Sequence, residues 1–169
     1  DGEQLLSNIV FTRDPRLYES VIVNGLPGNL GWSSVSVGGD PYELWVGGSH
    51  AGSNSFNETM RYATGYENMK YYLGSSDYLR QNTQWVALRL SDLYLTYAEA
   101  LLQANNDHQG AVDQIDIVRA RVGLPGLVQS NPGKRLLTDK DALIEELLRE
   151  RVCELGMEDS RFFDLIRYK

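Results

Sequence analysis

The chain has 169 residues, enough for one domain with a real core, and its 42% hydrophobic and 23% charged residues describe a globular rather than a disordered protein. A net charge of −7 repels polyanions at long range, which sets nucleic acid aside as a partner. Cys153 is the single cysteine, which excludes an internal disulfide and a cysteine-built metal site, and no apolar run is long enough to cross a bilayer.

The chain opens Asp1-Gly2-Glu3-Gln4, with no initiator Met and no basic or apolar targeting segment. This predicts an excised piece whose targeting signal lay upstream. Residues 1–84 hold most of the glycine and many Ser, Asn and Tyr. Turn signals recur there, at Leu26-Pro27-Gly28-Asn29, Gly38-Gly39-Asp40-Pro41 and Gly47-Gly48. Short strands are expected at Ser20-Val21-Ile22-Val23, before Asn24-Gly25, and at Tyr42-Glu43-Leu44-Trp45-Val46. No long helix is expected in this half.

From Trp85 the pattern becomes helical. A first helix is predicted over about 86–104. Val86, Leu90, Leu93, Tyr97, Ala100 and Ala104 share one face, Leu88, Leu95, Ala98 and Leu102 occupy much of the rest, and Arg89, Asp92, Glu99 and Gln103 form a polar strip. A helix so apolar is expected to pack on more than one side. A turn from Asn105 to Gly110 leads to a second helix, about 109–121, with Ala111, Ile115, Val118 and Val122 on one face; Gly123 and Pro125-Gly126 stop it. The third helix is expected to start at Thr138 as N-cap, with Leu143, Ile144, Leu147, Leu148 and Leu155 as its stripe. Arg151 interrupts that stripe, and Glu146, Glu150, Glu154 and Glu158 recur beside it. A buried guanidinium needs a carboxylate, and Glu99 is the expected partner. A short last helix is predicted over Ser160–Tyr168.

Four segments carry a resemblance. Asp14-Pro15-Arg16-Leu17, the run Leu90–Leu101 containing Tyr97-Ala98-Glu99-Ala100, the run Ile117–Pro125 with Arg119 and Arg121, and the run Glu150–Tyr168 follow one another in order. The last contains Glu150-Arg151, Glu154-Leu155, Glu158, Arg161, Asp164-Leu165 and Arg167-Tyr168. They resemble the D-P-R-L, Y-A-E-A, I-R-x-R-A-G-L and E-R-x-x-E-L-x-x-E-G-x-R-x-x-D-L-x-R-W segments of the SusD/RagB family. This sequence has Asp159 where that family usually has Gly, and Tyr168 where it has Trp.

The resemblance implies a mainly α fold of SusD-like, TPR-like helical hairpins with a loop-rich, short-strand N-terminal half. Residues 1–169 would be one fragment of such a protein, the later part of a longer chain, with 1–84 a ligand-side region and 85–169 a helical scaffold. It also implies a surface-exposed outer-membrane lipoprotein of Bacteroidetes, touching the membrane only through a lipid anchor. Such a protein holds oligosaccharide, less often peptide, for a SusC-like TonB-dependent transporter, without catalysis and without a cofactor. A protein–protein docking module is the alternative.

The expected ligand residues are the aromatics of the first half: Trp32, Tyr42, Trp45, Tyr62, Tyr66 and Tyr71, with Tyr72 beside them. Sugar rings present flat C–H faces that stack on aromatic planes, while Asn, Ser and Asp bond hydroxyls; Trp32 and Trp45 offer the widest faces. The structural alternative is that these rings fill a core under long loops.

The carboxylates of the last helices raise the question of glycoside hydrolysis, which needs a pair across a cleft. Several arginines accompany them and keep them ionised, so ion pairs locking helices are expected instead. His50, in a Gly- and Ser-rich loop, and His108, in the hairpin turn, belong to no nucleophile or metal motif. The turn Asn105–Gly110 faintly echoes a calcium loop, but Gln109 and Asp116 are poor ligand positions and a helix-capping turn is expected. Asn57-Glu58-Thr59 matches a glycosylation sequon, which a bacterial resemblance demotes.

Overall fold

Pro15 fixes the backbone for the first turn of a short helix, α1 (Pro15–Ser20), and the Asp14 carboxylate caps it by accepting from the Arg16 amide at 3.0 Å. The computed structural model describes residues 13–25, 43–44, 48, 65–71 and 86–168. The chain divides into two units, 1–84 and 85–169.

In the first unit the β-branched run Val21-Ile22-Val23 forms β1 directly after α1. It pairs antiparallel with β2 (Tyr66–Asn68), in the register Val21↔Asn68, Ile22↔Glu67, Val23↔Tyr66. The ladder continues beyond both ends, with the Asn24 amide bonding the Gly65 carbonyl and the Met69 amide bonding the Ser20 carbonyl, each at 2.9 Å. The expected second strand, Tyr42–Val46, lies outside the described residues except for Glu43 and Leu44, which are not in a strand. Leu44 is buried and its amide donates to the Asn24 side chain at 2.9 Å.

The second unit is helical: α2 (Leu90–Asn105), α3 (His108–Arg121), α4 (Leu127–Ser130), α5 (Lys140–Leu155) and α6 (Ser160–Arg167). The chain is thus mainly α, as its sequence pattern implied. α2 and α3 form a hairpin through Asn106, in the left-handed region at φ 54°, and Asp107, whose carboxylate caps α3 by accepting from the Gly110 amide at 2.8 Å. A Cβ on residue 110 would lie 2.2 Å from that carboxylate, so glycine there makes the cap. Gly123 ends α3 with φ +75°, a conformation open to glycine at no steric cost. Asp116, the weak calcium-loop position, instead accepts from the Leu127 amide at 2.7 Å and fixes the start of α4.

The core joins Leu95, Ala98 and Leu102 of α2 to Ala111, Val112, Ile115 and Val118 of α3, and to Leu127, Leu136, Leu143, Leu147 and Leu155. Three details differ from the sequence reading. α2 begins at Leu90 rather than near 86, because Arg89 holds an extended backbone while its side chain reaches α5. Asp139, not Thr138, caps α5, accepting from the Ala142 amide at 3.1 Å; the Thr138 hydroxyl turns back to the Arg135 carbonyl. The third concerns the faces of α2. Only the stripe Leu95, Ala98, Leu102 is buried, whereas Leu90 (64%), Leu93 and Tyr97 are exposed. α2 does pack on a second side, but that side is its polar strip.

Candidate functional site

The expected ligand aromatics divide by position. Trp32, Tyr42, Trp45, Tyr62 and Tyr72 lie outside the described residues. Tyr66 starts β2 opposite Val23 and is 43% exposed, so its ring is not spent on a core. Tyr71 is half-buried, with φ 70°, just beyond the same strand. β2 therefore holds Tyr66 on a paired, hydrogen-bonded backbone and places Tyr71 a few residues away. In the same unit, Arg16 is buried and donates through Nε to Asp14 Oδ1 at 2.9 Å, with a second contact from Nη2 at 2.5 Å. The Asp14-Pro15-Arg16 segment is thus a cap and an ion pair in one, a structural device beside β1.

The charged residues of the second unit form one network. Periodicity puts Asp92, Thr96 and Glu99 on a single stripe of α2, facing the last two helices. Arg151 donates from Nε to Asp164 Oδ2 at 2.9 Å, and from Nη1 to Asp92 Oδ1 at 3.3 Å and Thr96 Oγ1 at 3.4 Å. The expected pairing with Glu99 is therefore wrong in partner, though right that the carboxylates come from other helices. Asp92 and Glu99 share a stripe but stand about 10 Å apart along the axis, and Arg151 is level with Asp92. Glu99 instead accepts from Arg167 Nη1 at 2.5 Å and from the Tyr168 hydroxyl at 2.7 Å.

Arg89 bridges Glu154 at 2.5 Å and Glu158 at 2.8 Å, and also bonds the Ser91 hydroxyl and the Glu154 carbonyl. Arg121 bonds both oxygens of Glu154, at 2.9 and 3.0 Å. Arg119 holds Glu150 at 2.8 Å, while its other nitrogens cap the Pro125 carbonyl and the Ser130 hydroxyl. Glu146, Glu150 and Glu154 are buried within the inward face of α5, interleaved with Leu143 and Leu147, rather than beside the apolar stripe.

Burial lowers the Arg89 pKa, but hydrogen bonds to Glu158 and Glu154 outweigh it and the net shift is upward. The Arg167 pKa is raised by its bonds to Glu99 and then Asp164. The Tyr168 phenol is raised, first by burial and then by its bond to Glu99. Lys134 is raised by its bond to Glu146 at 2.6 Å. Chemically this is a clamp. Each buried carboxylate of α5 and α6 meets a cation, and every arginine that holds one is itself committed. Among the described residues, no group of three His, Cys, Asp or Glu side chains is placed to hold a metal, and no helix is long and apolar enough to cross a membrane.

The model of the SusD family matches residues 3–169. The chain belongs to the SusD family. A SusD-like protein from Bacteroides fragilis NCTC 9343 is similar over 95% of this chain, at 27% identity and a TM-score of 0.68. A second solved structure, BT4246, is similar over 92%, at 25% identity and a TM-score of 0.63. The chain spans 29% and 26% of the lengths of those two structures. No curated protein matches the sequence.

Within a SusD-family chain the signature segments now have physical content. The paired arginines of the third segment reach Glu150 and Glu154, the first acidic residues of the fourth. The glutamate of Tyr97-Ala98-Glu99-Ala100 receives Arg167 and Tyr168, the last residues of the fourth. Asp159 has φ 60°, a left-handed backbone that explains why glycine suits that place and why Asp, which tolerates it, replaces it.

The sequence places Asp92 on the polar strip with Glu99 but does not single it out as a partner of Arg151.

Proposed function

We propose that this SusD-family chain contributes to non-catalytic capture of an oligosaccharide or polysaccharide at the outer-membrane surface, for delivery to a SusC-like TonB-dependent transporter. Membership of the SusD family over nearly the whole chain is the observation that carries this reading. The arrangement of the carboxylates supports the non-catalytic part, because the buried acidic residues of α5 and α6 are engaged by arginines and a lysine rather than paired across a cleft. Residues 1–84 supply the ligand side, with Trp32, Tyr42, Trp45, Tyr62, Tyr66 and Tyr71 as stacking surfaces, and residues 85–169 are the scaffold. Tyr66, exposed on a paired strand, is the platform residue best supported by geometry.

One or two stacked sugars bury little area, so affinity in the range of about 0.1–1 mM is expected. Binding is expected to be insensitive to salt, since stacking on a neutral glycan involves no charge. The test is retardation in polysaccharide-containing gels. Trp32→Ala, Trp45→Ala and Tyr66→Ala are each expected to reduce retardation while leaving the melting temperature nearly unchanged. If all three variants fold and migrate as the parent does on a polysaccharide that retards it, the platform assignment is wrong. If no glycan in a broad panel is bound and unrelated peptides are, the peptide-capturing form of the reading replaces it.

A further inference from the structure

The stretch that enters the helical unit, Val86 to Leu88, is exposed, and Arg89 is the residue beside it that turns inward. Its guanidinium reaches across 65 residues of sequence to the far end of α5. There it donates to the Glu154 carboxylate and to the Glu154 carbonyl, and through Nε to Glu158 Oε2 at 2.8 Å. The last carbonyls of a helix have no partner within it. Arg89 thus closes the C-terminal end of α5 with a side chain from outside that helix.

The turn it grips is strained. α5 leaves through Gly156, where a Cβ would lie 3.0 Å from the Val152 carbonyl. Met157 (φ 65°) and Asp159 (φ 60°) follow in the left-handed region, which residues other than glycine enter at a steric cost. Neither side chain holds itself there: Met157 is 47% exposed, and Asp159 makes no capping bond to α6. Glu158 stands between them, with its amide bonded to the Leu155 carbonyl at 3.1 Å and its carboxylate on Arg89. α6 begins directly after Asp159, so the turn sets the direction from which Asp164 reaches Arg151 and Arg167 reaches Glu99.

We propose that Arg89 is a latch that couples the entry of the chain into the helical unit to the strained turn between α5 and α6. With Arg89 seated, the end of α5 is closed and the left-handed pair around Glu158 is held in place. With Arg89 withdrawn, the Glu154 carbonyl and the Glu158 carboxylate lose this donor, the turn relaxes, and α6 loosens from Arg151 and Glu99. The opening stays local for two reasons. Arg121 of α3 still bonds both oxygens of Glu154, so the body of α5 keeps its place on the hairpin. The hairpin itself rests on an aliphatic core, Ala98, Leu102, Ala111 and Ile115, in which Arg89 has no part. A displacement of residues 86–89 therefore reaches α6 while the α2–α3 hairpin stays closed, as a sub-global opening. The latch is independent of glycan capture and of the assignment of the aromatic residues.

The test is amide hydrogen exchange of the 169-residue chain, read by mass spectrometry on peptides covering the turn and α6 (residues 154–168) and α3 (residues 111–120). R89Q is expected to speed exchange in the first peptide set by about tenfold or more and to leave α3 unchanged. Where R89Q does not fold, E158Q makes the same comparison by removing the charge that Arg89 meets at the turn. M157G supplies the converse, because glycine takes the left-handed backbone without strain. It is expected to raise the melting temperature and to shrink the effect of R89Q on residues 154–168. Unchanged exchange across 154–168 in R89Q and E158Q overturns the proposal. An equal rise in α3 overturns it as well, since Arg89 would then support the whole unit rather than one turn. So does a loss of stability in M157G, which would mean that the turn holds no strain for Arg89 to restrain.

Discussion

The α2–α3 hairpin and the α5–α6 corner lie in one unit and are held by opposite means. In the hairpin, small and aliphatic side chains meet: Ala98 and Leu102 against Ala111 and Ile115, all fully buried. In the corner, α6 turns its polar side inward. Asp164 is buried against Arg151, and Arg167 reaches back to Glu99, while Phe162 (65%), Phe163 (61%), Leu165 and Ile166 face outward. A helix of ordinary amphipathic composition is thus mounted the unexpected way round. Hydrophobic pattern alone does not orient a helix when several arginines demand carboxylates at fixed distances. A buried cation without a partner costs more than leaving a few apolar side chains in water.

That contrast is open to direct measurement. The largest loss is expected from Arg151→Ala, about 3–5 kcal/mol in denaturant unfolding, because it removes the buried cation that joins Asp164 to Asp92 and leaves the interior Asp164 with Arg167 alone. A loss below about 1 kcal/mol, typical of exposed pairs, would mean the corner is not held by its charges. In the hairpin, Leu102→Ala is expected to cost about 2–5 kcal/mol through lost burial and the cavity left behind. Added salt is expected to change neither effect, since both sites are buried.

A smaller effect is expected at alkaline pH. Lys134 and Tyr168 both have folded-state pKa values raised above their ordinary values of 10.5 and 10.0, by the bond to Glu146 in one case and by burial and Glu99 in the other. A raised pKa means the folded state holds its proton more tightly. The stabilisation is therefore complete below pH 10 and is lost as pH rises through the raised values. Urea unfolding followed between pH 9 and 12 should show this decline, with a shallower slope for Tyr168→Phe. A pH-independent midpoint would remove both contacts from the account. The smallest change is expected from Phe162→Ser, within about 0.5 kcal/mol of the parent because the ring is already exposed. A loss of several kcal/mol would show that α6 buries its apolar face after all, and would reverse the comparison.

Much of the helical unit was legible from spacing. The 3.6-residue period located α2, α3, α5 and α6 to within a few residues, and the capping turn at Asn106-Asp107 was read in preference to a calcium loop. The strand Val21–Val23 was legible from its β-branched run, but its partner Tyr66–Asn68 was not, because the pairing spans about forty residues and leaves no local mark. Of the candidate ligand residues, the sequence could rank Trp32 and Trp45 by ring size only. Exposure, which decides whether a ring is available, is visible for Tyr66 and Tyr71.

By itself the sequence determined the four longer helices to within a few residues, the capping turn that joins α2 to α3 and the requirement that Arg151 find a carboxylate. Each of these depends on neighbours within about one turn: hydrogen bonds of the backbone, a capping side chain, a tolerated φ, the cost of an isolated charge. Only the tertiary structure decided that Arg151 takes Asp164 and Asp92 while Glu99 takes Arg167, and that α2 buries Leu95, Ala98 and Leu102 and exposes Leu90 and Tyr97. Those choices depend on the axial offset and rotation of one helix against another. Many weak contacts set these together, so no single residue announces them in the sequence.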